Sequence, residues 1–197
     1  MEKFMKHWKK FATLKQRGEW VELQFMAQAA LRRFIVSKPW GDVQAYDVGI
    51  EHHQNFLRVQ VKSTSARCGA GYRCMFKPNF KKKRDYSLDQ IDLFAAYVIP
   101  KDAWYLIPAS VLLGERRLTM AMLCPVVTPK KKASYRYECY RDAWSLLTKS
   151  RMELGELRSS GRMQPTACPE PAEGAQAVGV DSLVIQNNHN RCHQRRD

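Results

Sequence analysis

The sequence predicts one α/β domain: a leading helix, a mixed sheet of four or five strands and a closing helix. A Pro-free stretch near the N-terminus carries apolar residues at helical spacing. Several later stretches are rich in the β-branched and aromatic types that sheets favour. Near residue 150 the composition turns Pro-, Gly-, Ala- and Ser-rich. A chain of 197 residues, 45% hydrophobic and 26% charged, has the size and make-up of one globular domain with a tail.

"RGEWVELQFMAQAALRRF" (Arg17 to Phe34) is the helix, with Val21, Leu23, Phe25, Met26, Ala29, Ala30 and Phe34 on a broad apolar side. Gly18 marks its expected start, and Pro and Gly in "SKPWGD" its expected break. "VQAYDVGI" and "FLRVQVKST" read as strands joined by a polar turn within Glu51 to Phe56, and "GYRCMF" as a third. "KPNFKKKRDYSLDQ" is a charged loop. "DLFAAYVIP" and "AWYLIP" are strands around a turn at Pro100 to Asp102, with core packing the expected role of Trp104, Tyr105 and Trp144. "PVVTPKKKASYRYECY" is a basic connection, and "YRDAWSLLTK" (Tyr140 to Lys149) the short closing helix. Residues 1–150 are therefore expected to form the domain. Residues 151–197 are expected to be a disordered tail with too little apolar surface to offset ordering entropy.

Formal net charge is +14, all of it within residues 1–150, where 27 Lys/Arg face 13 Asp/Glu. A basic domain points to a polyanionic partner, nucleic acid first. A membrane span is excluded as an expectation, since the apolar runs fall far short of about 20 residues, and "MEKFMKHWKK" has no apolar region of a secretory signal. Six Cys without a CxxC or regular spacing argue against a zinc ribbon or a disulfide framework, and for a reduced, cytosolic setting.

The chemistry lies in "YDVGIEHHQNFLRVQVKST" (Tyr46 to Thr64). Successive strand residues face opposite sides. Leu57, Val59 and Val61 share one face of the second strand; Arg58, Gln60, Lys62 and Thr64 share the other. In the first strand Asp47, Gly49 and Glu51 oppose Tyr46, Val48 and Ile50. Hairpin pairing puts Asp47, Gln60 and Lys62 on one face, with Gly49 expected to leave open space beside them. Each polar residue alone fits a solvated strand position. As a set they suit phosphodiester hydrolysis. Asp47, Gln60 and the Val61 carbonyl are oxygen donors for a hard cation such as Mg²⁺, and Lys62 can orient water or offset transition-state charge. Glu22, or Glu19 three residues earlier on nearly the same helix face, is placed to reach them. The pair His52-His53 sits in a tight turn, which does not suit a ββα-type His–Asn nuclease site.

The segments "RGEWVELQFMAQAALRR", "SKPWGDVQAYDVGIE", "FLRVQVKST", "AAYVIPKDAWYLIPASVLL" and "YRDAWSLL" resemble the PD-(D/E)XK nuclease superfamily, and more narrowly its group I intron-associated homing endonucleases. The resemblance runs from Arg17 to Leu147. It implies a restriction-endonuclease-like αβββαβ core with a mixed central sheet flanked by helices. It also implies a Mg²⁺-dependent DNA double-strand endonuclease, with Mn²⁺ able to substitute, acting in a bacterial cytoplasm. The family's aspartate falls on Asp47, its E/Q-x-K pair on Gln60 and Lys62, and its helical acidic position on Glu22. The superfamily norm has Glu where this chain has Gln60; Gln there occurs in the intron-associated branch. Its loss of one negative charge should weaken metal binding and leaves the number of ions open.

For DNA contact the sequence offers Lys77, Lys81, Lys82, Lys83 and Arg84 in one loop, and Lys130, Lys131, Lys132 and Arg136 in another. Such clusters neutralise phosphates and give salt-dependent affinity. Arg67 and Arg73, flanking "CGAG", are candidates for groove contacts. One such site cuts one strand, so cutting double-stranded DNA implies a homo-oligomer, a dimer or tetramer. The competing class is a catalytically silent nucleic-acid-binding module, which would need neither Asp47 nor Lys62. Restriction and junction-resolving roles share the same chemistry and are not separated by the sequence.

Overall fold

The computed structural model describes residues 11–41, 43–77, 86–114, 118–125 and 136–157. Helix α1 spans Leu14–Leu31 and starts before Gly18. Its true start signal is Thr13, whose hydroxyl accepts the Gln16 N–H at 3.1 Å, while the Gln16 amide oxygen accepts the Ala12 N–H at 3.2 Å. The helix ends before the Pro of "SKPWGD". Arg33 turns into the left-handed region (φ 67), and the N–H groups of Arg33 and Phe34 return to the Ala30 and Ala29 carbonyls at 2.9 and 3.2 Å. This is a Schellman closure with Arg where Gly is usual, and the residue after it, Phe34, is buried.

Strand β1 (Ile35–Ser37) follows directly. It pairs antiparallel with β2 (Val48–His52), Ser37 lying opposite Gly49. A tight turn through His53 (φ 53) and Gln54 then leads into β3 (Asn55–Thr64), with His52 opposite Asn55 and Val48 opposite Val59. The turn is thus shorter than "EHHQN" suggested. Strands β4 (Arg67–Cys68) and β5 (Gly71–Met75) form a second hairpin. Strand β6 (Leu93–Val98) lies parallel to β3, and a 3₁₀ turn at Ile99–Lys101 brings back β7 (Ala103–Pro108) antiparallel to it. The main sheet is therefore mixed, in the order β1-β2-β3-β6-β7. After the five-residue helix α2 (Ala109–Leu113), β8 (Met120–Leu123) joins β5 to make a second sheet, β4-β5-β8.

Strands β6 and β7 are buried at every position because both faces of the main sheet are covered there. On one face α1 buries Val21, Phe25 and Ala29, and the Phe25 ring lies 5.5 Å from Trp104 and 5.7 Å from Trp144. Full burial of a Val or Phe contributes about 1.5–3 kcal/mol. Trp104, Tyr105 and Trp144 are core residues, as expected. On the other face the second sheet docks: Phe76 meets Phe94 edge-on at 5.1 Å, and the Thr64 hydroxyl donates to the Arg73 carbonyl at 2.7 Å.

The segment expected as a closing helix over Tyr140 to Lys149 is instead two 3₁₀ turns, Glu138–Tyr140 and Trp144–Thr148. The edge of β7 causes this. Arg141 bridges to Tyr105, the Asp142 N–H donates to the Trp104 carbonyl at 2.8 Å, and Asp142 sits at φ 51. A continuous α-helix would forfeit that pairing, and the segment shields an otherwise open strand edge.

The chain also continues as structure past the boundary expected at 150. Helix α3 (Arg151–Glu156) carries a capping box between Ser150 and Glu153 and buries Leu154. The Arg151 Nε donates to Asp92 Oδ1 at 2.8 Å, and the same buried carboxylate accepts from the Arg58 backbone N–H at 2.8 Å and its guanidinium at 3.0 Å. Residues 158–197 lie outside the described residues. A chain ending at Ser150 is predicted to lose about 2 kcal/mol of stability relative to one ending at Leu157, from the lost burial of Leu154 alone; comparing their urea midpoints measures this, and equal midpoints would show that α3 adds nothing.

Candidate active site

The register of β2 and β3 builds the site. The Asp47 N–H donates to the Val59 carbonyl at 3.0 Å, extending the ladder one residue before β2 and setting Asp47 across from Gln60. Asp47 Oδ2 accepts the Val61 N–H at 2.8 Å and a short hydrogen bond from the Gln60 amide nitrogen. The same nitrogen faces the Val61 carbonyl at 3.4 Å. Two oxygens, one carboxylate and one carbonyl, thus converge on a single electropositive NH₂ group. Asp47 and Gln60 meet on the face where strand alternation places them, and Gln60 is buried.

Lys62 follows on that face, and its ammonium donates to the Tyr86 hydroxyl at 2.9 Å. Tyr86 is itself braced against Phe94, with ring centroids 5.6 Å apart. Gly49 does not leave open space. A Cβ there would strike the Ser37 hydroxyl and the Phe56 ring, so the glycine allows β1 and the Phe56 side chain to close over the strand.

On α1, Glu22 takes the Lys38 ammonium at 2.7 Å, whereas Glu19 is more exposed and pairs with Lys15 at 3.8 Å. Of the two, Glu22 is the helical carboxylate whose charge reaches Asp47. Burial pushes the Asp47 carboxyl up to about 6, and the charge of Glu22 adds to the rise; Lys62, the Val61 N–H and Lys38 oppose it. The Lys38 ammonium is held above its ordinary value, first by its hydrogen bond to Glu22. A half-desolvated carboxylate beside a second one is a site that favours a cation.

Sequence reading did not single out Lys38 or Tyr86. Lys38 was part of a helix-breaking motif and Tyr86 part of a charged loop. Both act through side-chain contacts across 16 and 24 residues, which no local period records.

Arg67 and Arg73 are exposed, but strand alternation in the β4–β5 pair places them on opposite faces: Arg67 lies opposite Tyr72, while Arg73 lies beside it. Lys77 and Arg136 are exposed. Lys81, Lys82, Lys83, Arg84, Lys130, Lys131 and Lys132 lie outside the described residues. His52 packs against Phe34 at 5.3 Å and His53 at 4.2 Å, at the far end of the hairpin from Asp47. Among the described residues no three His, Cys, Asp or Glu side chains cluster as metal ligands. Also among the described residues, no helix is long and apolar enough to cross a membrane.

A five-stranded mixed sheet flanked by helices matches a PD-(D/E)XK-like nuclease fold. The chain belongs to the PD-(D/E)XK endonuclease family, whose model matches residues 12–147. Its fold is similar to the solved structure of a bacterial homing endonuclease, I-Ssp6803I, with a TM-score of 0.60 and 22% sequence identity, over 78% of this chain and 99% of that one. No curated protein matches the chain in sequence. Nucleases of this family generally use divalent metals.

Tyr86 fixes the lysine that this arrangement presents. Tyr86→Phe keeps the ring but removes the acceptor for Lys62, and is predicted to lower DNA cleavage about tenfold, in line with the loss of one hydrogen bond of about 1 kcal/mol or somewhat more. Single-turnover cleavage rates measure it; a wild-type rate would show that Lys62 needs no such brace.

Proposed function

We propose that this protein is a Mg²⁺-dependent DNA endonuclease that makes double-strand breaks in the manner of a homing endonuclease. The observation that carries the reading is the convergence of Asp47 Oδ2 and the Val61 carbonyl on the Gln60 amide, with Lys62 on the same strand face. The amide nitrogen holds the place that a cation would contest. With the amide turned about its terminal bond, its oxygen would face the same point. Carboxylate, amide oxygen and backbone carbonyl then form the all-oxygen donor set that Mg²⁺ takes while keeping several waters, and Mn²⁺ suits the same set.

Asp47, Gln60 and the Val61 carbonyl would hold the ion. A bound divalent cation supplies Lewis acidity, polarising the phosphoryl group and making water a better nucleophile. The chain's own residues do the rest. Lys62, held by Tyr86, places a positive charge where negative charge develops on the phosphoryl oxygens. Glu22, ion-paired with Lys38, is the helical carboxylate whose field reaches Asp47. The +14 net charge draws the DNA, with Arg67, Arg73 and Lys77 among the exposed cations near the second sheet.

The likeness to a bacterial homing endonuclease supports the homing reading. Cutting both strands with one site per chain calls for two chains or more, so a homo-oligomer is part of the proposal.

Plasmid DNA incubated with the protein is expected to be linearised with Mg²⁺ and left intact with EDTA. Asp47→Ala and Lys62→Ala are each expected to lower the rate about 10²- to 10³-fold, the range seen when a charge-stabilising group is removed, while gel-shift affinity for DNA stays within a few-fold. Undiminished cutting by both variants would reject the site. Tight, salt-sensitive binding with no cutting on any DNA would instead identify a silent binding module.

A further inference from the structure

Lys38 directly follows the last paired residue of β1. Ser37 is still paired with Gly49, and Pro39 restricts Lys38 to an extended backbone. Trp40, two residues on, is 98% exposed. From this fixed point the Lys38 side chain crosses to α1 and places its ammonium 2.7 Å from Glu22 Oε2, where the Glu22 side chain is only 21% exposed. Its field also reaches Asp47 and Glu19. The site thus holds two carboxylates, Glu22 and Asp47, and two lysines, Lys38 and Lys62. The lysines divide the work: Lys62 is bound to a neutral hydroxyl, and Lys38 is paired with the helical carboxylate.

We propose that Lys38 is a positioning residue of the site: its ammonium holds Glu22 in place and takes up the negative charge that would otherwise recruit a second divalent cation. The proposal rests on the nuclease reading for its catalytic meaning, but its electrostatic content stands apart from it. An exposed ion pair is worth little to stability, with a median of about 0–1 kcal/mol. A unit charge within a few ångströms of a metal site still changes ion affinity several-fold at the effective dielectric of a protein surface. Lys38 also makes chemical sense of Gln60. With a neutral amide in place of a carboxylate, the site carries one negative charge fewer, and Lys38 cancels another, leaving Asp47 as the one anionic ligand without an ion-pair partner within 4 Å among the described residues.

The test is Mn²⁺ binding to the DNA-free protein, followed by isothermal titration for wild type, Lys38→Ala, Lys38→Arg, Glu22→Gln and the Glu22→Gln/Lys38→Ala double variant. Lys38→Ala is expected to bind Mn²⁺ roughly three- to tenfold more tightly than wild type, with a second ion entering at higher concentration. Lys38→Arg should restore the wild-type affinity. In the Glu22→Gln background the alanine substitution should give a clearly smaller gain, about twofold, because only the direct field of Lys38 on Asp47 is left to remove. Cleavage by Lys38→Ala should fall about tenfold in kcat with KM for DNA unchanged. Unchanged Mn²⁺ affinity in Lys38→Ala, or the same gain without the Glu22 carboxylate, overturns the assignment. If the Mn²⁺ pattern holds but wild type cuts no DNA, the role of Lys38 toward the ion stands and the nuclease reading falls. If wild type cuts DNA and the affinities are flat, the nuclease reading stands and the role of Lys38 falls.

Discussion

The pairing of Val48 with Val59 is the constraint on which the site depends. Strand side chains alternate with a period of two, so a slip of one residue would send Asp47 and Gln60 to opposite faces. Three features pin that register. The tight turn through His53 leaves no slack between His52 and Asn55. The apolar set of Val48, Ile50, Leu57, Val59 and Val61 is buried beneath α1, so turning it outward would expose five large side chains. Asp92 grips both the backbone and the guanidinium of Arg58, locking β3 against the start of β6. A buried carboxylate with that many charged partners is costly to leave unpaired, about 3–5 kcal/mol when one partner is removed. It therefore specifies position strongly even where its net contribution to stability is small.

Within this frame the electrostatics of the site are close to balanced. Asp47 is half-buried, and desolvation pushes it up to about 6 against the pull of Lys62, the Val61 N–H and Lys38. A cation beside such a carboxylate would offset its desolvation. Burial on one side and positive charge on the other also make geometry decisive. Lys62 and Lys38 are each tethered, by Tyr86 and by Glu22, so neither collapses onto Asp47 as a simple salt bridge.

Much of this was legible in the sequence, and the reason is periodicity. Alternation in "FLRVQVKST" placed Gln60 and Lys62 on one face, and the β-branched and aromatic content of β6 and β7 marked them as strands. Features set by tertiary contact were not legible. Gly18 looked like a helix start, but Thr13 and Gln16 had already begun the helix. Arg33 adopts a conformation usually left to glycine because the buried Phe34 and two returning hydrogen bonds hold it there. Residues 140–149 have helical spacing but are drawn into 3₁₀ turns by the backbone edge of β7. The room beside Gly49 is real in the sequence and occupied in the fold, by Ser37 and Phe56. Lys38 and Tyr86 carry no local signature at all. Their partners come from a helix and a strand far along the chain.

The central claim is that a divalent cation binds where Asp47, Gln60 and the Val61 carbonyl converge. The most direct measurement follows the backbone amide resonances of the DNA-free protein during a Mg²⁺ titration. Saturable shifts confined to Asp47, Gln60, Val61 and Lys62, and lost in Asp47→Asn, are the predicted result. Shifts that are absent, or that persist unchanged in Asp47→Asn, would contradict it.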